Sequence, residues 1–341
     1  MKYPIFCRRA LACSLALALL GTLTLPASAF PWDKKAADDT TQATPDDAQA
    51  NHPPIARNME LSTYKNVALT GYFDAVDSEG DVLTFQLTST PARGSVTAAE
   101  DGSSQFVYTP YENKTGKDSF SYVAMDSAGN TSPEATVTIR IEKPSTKVTY
   151  ADMQGDPAHK ASIRLAEEGI YVGAYHGGQY FFQPDQTVSR GEFLSLAMSI
   201  SDLEPLEDVT LTGFYDDTAI PTWCKGYVSS ALKAGVVQGS RNEEGQCIFG
   251  AQDAITMGEA SVMLNNLLNV SDVPVETFSA GGSGHWASQA AANLAASGVI
   301  RTADTGVQAM SEQLTMAEVA QLLDGALDVV ANRKGDGLFS F

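Results

Sequence analysis

Ser189-Arg190-Gly191-Glu192, Thr256-Met257-Gly258-Glu259 and Thr315-Met316-Ala317-Glu318 write one helix-start signal three times into the C-terminal half of the chain. In such a capping box the Ser or Thr hydroxyl accepts from the backbone N–H three residues on, and the Glu carboxylate reaches back to the N–H of the capping residue. An apolar residue precedes each box (Val188, Ile255, Leu314), and an apolar run of helical spacing follows it. Those runs read Phe193, Leu196, Ala197, Ile200, then Met263, Leu264, Leu267, Leu268, then Val319, Leu322, Leu323, Ala326, Leu327, Val330. Upstream, shorter helices are predicted to end at Gly169, Gly235 and Gly298, since glycine takes the left-handed turn past a helix end at little cost. Trp223 and Trp286 stand at the same distance before the second and third of these glycines, where the first unit has Pro157. The interval of about sixty residues predicts three helix-loop-helix units that bury their apolar faces only together.

Residues 148–333 resemble three S-layer homology (SLH) repeats, spanning 148–205, 212–271 and 278–333. Gly169-Ile170-Tyr171-Val172-Gly173, Phe182-Gln183-Pro184-Asp185 and Val188-Ser189-Arg190-Gly191-Glu192-Phe193 match the family's helix end, loop and Thr-Arg-Ala-Glu box. Phe214-Tyr215-Asp216-Asp217 and Gly284-His285-Trp286-Ala287 match the openings of the second and third copies. The resemblance implies a pseudo-threefold bundle that holds a surface protein non-covalently on a cell-wall polysaccharide, often a pyruvylated one. It also implies that the box arginine pairs with a ketal carboxylate, which suits a guanidinium fork.

Only Arg190 keeps that arginine, the other boxes carrying Met257 and Met316, and Thr302 replaces the glycine found at Gly173 and Gly239. The candidate glycan-binding set is therefore Arg190, Gly173, Gly239, Trp223 and Trp286. Each has a plainer reading. The two tryptophans fit wedges between helices as well as sugar platforms, and Arg190 fits a solvated or ion-paired residue, although the helix dipole disfavours a cation at a helix start.

At the other end of the chain, Lys2, Arg8 and Arg9 precede an apolar run from Ala10 to Leu25, and Ala27-Ser28-Ala29 offers small residues for cleavage. Residues 1–29 read as a secretory signal peptide. No later stretch is apolar enough to span a bilayer. The whole chain carries 22 Lys+Arg against 41 Asp+Glu, a net charge of −19, so nucleic acid and anionic lipid are unsuitable partners. Such acidity suits a wall rich in divalent cations, but it sets the protein against an acidic polymer, and Arg190, Lys160 or Arg164 would have to offset that repulsion.

Residues 30–51 are rich in Asp, Ala, Thr and Gln and read as a disordered spacer. From 52 to 143 the period changes to two, through Val67 and Leu69, then Leu83, Phe85 and Leu87, Phe106 and Tyr108, Phe120, Tyr122 and Ala124, and Val137, Ile139 and Ile141. Turn clusters separate these runs and predict an antiparallel β-sandwich. Asn51-His52-Pro53-Pro54, Phe106-Val107-Tyr108-Thr109-Pro110 and Gly116-Lys117-Asp118-Ser119-Phe120-Ser121-Tyr122 resemble bacterial cadherin-like and Ig-like modules, which act as spacers or adhesive domains. In calcium-binding members of that group turn carboxylates supply oxygen ligands, which makes Asp74, Asp77, Asp81 and Asp126 a candidate calcium set, with a solvated acidic turn as the alternative. No other cofactor is expected.

Cys224 and Cys247 are the cysteines left after the signal, and their spacing permits either a disulfide or two free thiols. His52, His159, His176 and His285 stand apart from any nucleophile elbow, phosphate loop or metal spacing, so no enzyme is expected. The chain thus reads as an Ig-like or cadherin-like sandwich followed by an all-α bundle of three SLH repeats and a tail at 334–341. Its expected partner is a cell-wall polysaccharide, or other surface proteins if the altered repeats have turned to protein contacts.

Overall fold

The computed structural model describes residues 51–336. The signal peptide, the spacer up to residue 50 and the tail beyond 336 lie outside the described residues.

The β-module contains β1 (Ile55–Ala56), β2 (Met59–Tyr64), β3 (Leu69–Tyr72), β4 (Ala75–Val76), β5 (Thr84–Leu87), β6 (Gly94–Ala98), β7 (Gln105–Pro110), β8 (Gly116–Met125) and β9 (Ala135–Glu142). One sheet runs β2-β9-β8-β5 and the other β3-β7-β6, with β1 and β4 as a short separate ribbon. Alternate residues of β7, β8 and β9 point inward, so Phe106, Tyr108, Phe120, Tyr122, Val137, Ile139 and Ile141 are buried between the sheets. Phe73 joins them, its ring 4.7 Å from Phe106 and 4.5 Å from Tyr122. Gly71 lies opposite Phe106 in the β3–β7 register, and a Cβ there would come within 2.3 Å of the tip of the phenyl ring.

The predicted antiparallel sandwich needs one correction: β2 pairs with β9 in parallel, Met59 opposite Val137 through to Tyr64 opposite Glu142. A strand's inward pattern states which face it buries but not which neighbour it pairs with. Val67 is likewise not on a strand. It lies in the turn after β2 and is buried with Tyr64 in the core of the helical region.

That region contains α1 (His159–Glu167), β10 (Ala174–His176), β11 (Gln179–Phe181), α2 (Arg190–Met198), α3 (Thr222–Lys233), β12 (Ser240–Arg241), β13 (Cys247–Ile248), α4 (Met257–Leu268), α5 (Val275–Phe278), α6 (Ser288–Ala296), α7 (Val307–Ser311) and α8 (Met316–Asp336). Two units are helix-hairpin-helix, through β10–β11 and β12–β13, and the third puts α7 in the hairpin's place. Helix α8 runs to Asp336 and so includes the first residues assigned to the tail.

All three capping boxes form. Ser189 and Glu192, Thr256 and Glu259, and Thr315 and Glu318 exchange both expected hydrogen bonds. Gly169, Gly235 and Gly298 take φ of 70°, 75° and 77° at the ends of α1, α3 and α6. The run after the first box was expected to be amphipathic, but α2 buries Gly191, Phe193, Leu194, Leu196, Ala197 and Met198, because it is packed on nearly every side.

The units close on one another as a ring. Val188 N–H donates to the Leu314 carbonyl at 3.1 Å, Leu314 N–H to Ile255 at 2.9 Å, and Ile255 N–H to Val188 at 3.0 Å. Helix-start N–H groups, which have no partner within their own helix, close the ring in the opposite sense: Arg190 and Gly191 donate to Asp253 and Ala251, Met257 to Glu312, and Met316 and Ala317 to Gln186 and Pro184. Helix packing repeats it, α3 lying on α2, α6 on α4 and α1 on α8. Lys160 and Arg164 of α1 fasten the last pair, each reaching Asp324 at 2.9 and 2.8 Å, with Arg164 also 2.7 Å from Asp328.

The β-module is seated on this ring. The Tyr64 hydroxyl donates to Glu167 at 2.5 Å, and burial together with that carboxylate raises its pKa above the ordinary phenol value.

Candidate functional site: a groove between units

The groove that contains Arg190 draws one wall from each unit. Arg190 opens α2, Glu259 lies in the first turn of α4, Gly239 follows α3, and Trp286 precedes α6; with Val236–Gln238 and Met263 they enclose about 500 Å³. The Arg190 side chain is 14% exposed, and its Nη1 lies 2.6 Å from Glu259 Oε1. The other oxygen of Glu259 accepts from the Thr256 N–H at 3.1 Å. One carboxylate thus caps its helix and holds the guanidinium, offsetting the unfavourable end of the α2 dipole. The guanidinium lies over the Phe249 ring at 5.3 Å, and its Nε is buried with no hydrogen-bond partner. An unmet donor of this kind on a buried charged side chain is costly to leave empty.

Three members of the expected glycan set, Arg190, Gly239 and Trp286, come together here; Gly173 and Trp223 do not line this groove. The wedge reading of the tryptophans is overturned, since Trp223 and Trp286 are 53% and 66% exposed. Trp223 in the first turn of α3 and Trp286 just before α6 face solvent, and the buried positions are filled by residues such as Cys224, Val228 and Ala231 in α3 and Ala290–Ala292 and Leu294 in α6. Gly239 is explained by close approach. It has φ 74°, and a Cβ would meet the Phe214 ring and the Ile248 carbonyl within about 2.6 Å. Lys160 and Arg164 are removed from the candidate cations by their pairing with Asp324. The sequence reading missed Phe249 and the second task of Glu259, because unit-to-unit contacts leave no trace in the spacing within one unit.

Asp77, Asp81 and Asp126 each bring one oxygen within 4.8 Å of the others. Asp77 Oδ1 accepts from the N–H groups of Glu79 and Asp81, leaving Oδ2 buried and unpartnered. Asp126 is already engaged by Ala128, Asn130 and Asn51. Three hard oxygens fit part of a calcium shell and fall short of the six to eight the ion takes, so backbone or water would have to complete it. Asp74 does not join them; its carboxylate faces Arg57 at 3.4 Å.

The permitted disulfide is not formed. Cys224 is buried in α3 with its thiol pushed up to about 11 by burial, whereas Cys247 is exposed on β13. Among the described residues no helix is long and apolar enough to cross a membrane.

The chain is 24% identical over 153 residues to an amylopullulanase from Thermoanaerobacterium thermosulfurigenes, covering 44% of this chain and 8% of that protein. It is 25% identical over 126 residues to the exoglucanase XynX of Acetivibrio thermocellus, covering 36% of this chain and 11% of that protein. It therefore spans about a tenth of the curated relatives it matches. A solved structure of a mutant SrpA adhesin from Streptococcus sanguinis is 20% identical with a TM-score of 0.22, covering 30% of this chain and 62% of that one. The family model described as Bacterial Ig domain matches residues 51–140, and the sandwich built from those residues is a bacterial Ig domain.

Proposed function

We propose that the helical region is a set of three SLH repeats, and that it retains an exported protein on the cell surface by binding an acidic wall polysaccharide in the Arg190 groove. The Ig domain then serves as the displayed spacer or adhesion module, and the chain itself is not an enzyme. The observation that carries the reading is the buried, unpartnered Nε of Arg190, set in a groove that also holds an exposed tryptophan. A carboxylate accepts from the remaining donors of a guanidinium fork, and an indole face stacks on a sugar ring. Met257 and Met316 at the related positions lack this donor, so the reading assigns the acid-binding role to one groove in three.

The test is retention of the mature chain on isolated sacculi, before and after the non-peptidoglycan polymer is stripped with acid. Binding that disappears on stripping supports the reading. Arg190→Ala is expected to lose at least tenfold in retention with an unchanged circular dichroism spectrum. Undiminished retention of that variant on native sacculi would move the search to protein partners.

A further inference from the structure

The cleft beneath the Ig domain is built on the same plan as the Arg190 groove, one unit further round the ring. Met257, Thr302, Glu318 and Pro157 stand in it where Arg190, Gly239, Glu259 and Trp286 stand in the first, and Arg301 takes the place of Gln238. Strand β3 and its neighbours roof this second groove without filling it, and the space between the modules is about 940 Å³.

The chemistry of the two is opposite. Arg190 offers an unmet donor, whereas the bidentate edge of Arg301 is already taken by a carboxylate of its own unit. Its Nε and Nη2 face the two oxygens of Asp304 at 2.8 and 2.6 Å, and its guanidinium lies 3.9 Å from the centre of the Tyr72 ring. Asp74, Glu312 and Glu318 bring further carboxylates to the walls, so an acidic polymer is repelled here. The remaining polar lining is of groups that both donate and accept, such as the Gln105 and Gln321 amides and the Thr302 hydroxyl, over the apolar side chains of Met257 and Leu322. Such a lining matches hydroxyls on the edge of a pyranose and the apolar face of its ring.

We propose that this junction cleft is a second binding site, specific for an uncharged saccharide, with one wall from the Ig domain and one from the helical region. The saccharide class rests on the reading of the Arg190 groove, to which the cleft is related by the register of the units. The Ig domain is then part of the binding apparatus as well as its cargo.

Isothermal titration of the full mature chain with tri-N-acetylglucosamine, maltotriose and the positively charged glucosamine trimer tests this. Saturable binding of an uncharged trimer is expected, weakened at least tenfold by Gln321→Ala, whose exposed side chain carries no fold, and by Tyr72→Ala from the opposite wall. Arg190→Ala should leave it unchanged while lowering wall retention at least tenfold, so the two sites fail separately. No heat with either uncharged trimer, tighter binding of the charged one, or equal loss in Arg190→Ala would overturn the proposal.

Discussion

In the Ig domain the buried rings of Phe73, Phe106, Phe120 and Tyr122 find their partners within a span of about fifty residues of chain. In the helical region Val188 bonds to Leu314 and Ile255, and no unit supplies its own partner. The first region closes its core by folding back on itself, strand on strand. The second closes only when its last unit returns to its first, so its cohesion is shared among contacts far apart in sequence. One lesson is that the same kind of local signal, a periodic apolar run with clean ends, supports two different scales of cooperativity.

The largest expected effect falls on the self-contained core. Phe106→Ala should cost about 3–5 kcal/mol, the range for removing a buried phenyl ring, and urea unfolding of the full chain would measure it. Because Tyr64 and Val67 of the Ig domain are buried in the helical core, we expect one transition displaced as a whole. Two separated transitions would break the coupling and leave the comparison as one of independent domains.

A smaller effect sharpens the ring. Ser189→Ala, Thr256→Ala and Thr315→Ala should each cost about 1 kcal/mol, the worth of a helix cap. Near-equal values in thermal melts would show that the ring distributes its strength evenly; a much larger loss at one box would mark the place where it closes last.

The smallest effect is confined to acid. Asp217 accepts from Lys225 Nζ at 2.6 Å and from the Thr212 N–H and hydroxyl at 2.7 and 2.8 Å, which hold its pKa at about 2 instead of 3.8. A carboxyl depressed in the folded state adds stability above its unfolded pKa, and that increment disappears as pH falls from about 4 towards about 2. Melting temperatures across that window should fall more steeply for the native chain than for Asp217→Asn. Equal slopes would mean that the pair contributes nothing to the acid response of the helical region.

Much of the candidate site was legible in part. The box register singled out Arg190 as the one retained cation, and the glycine register singled out Gly239, since both follow from local backbone needs. The meeting of Arg190, Gly239 and Trp286 in one groove was not legible, because it joins three units whose order around the ring is set by tertiary hydrogen bonds. Gly173 and Trp223 carry the same local signals and yet fall outside this groove. Local rules state what a residue can do for its own turn of chain and are silent on which unit will face it.

By itself the sequence determined the change from period two to helical spacing, the three boxes, the glycines that end α1, α3 and α6, and the acidic balance. Each is decided within a few residues by capping geometry, side-chain alternation or charge. Only the tertiary structure decided the parallel pairing of β2 with β9, the cyclic docking of each outer helix on its neighbour's box helix, and the seating of Tyr72 on Arg301. Those outcomes compare contacts between distant segments that present equally suitable faces, and the choice among them is made by the packing of the whole.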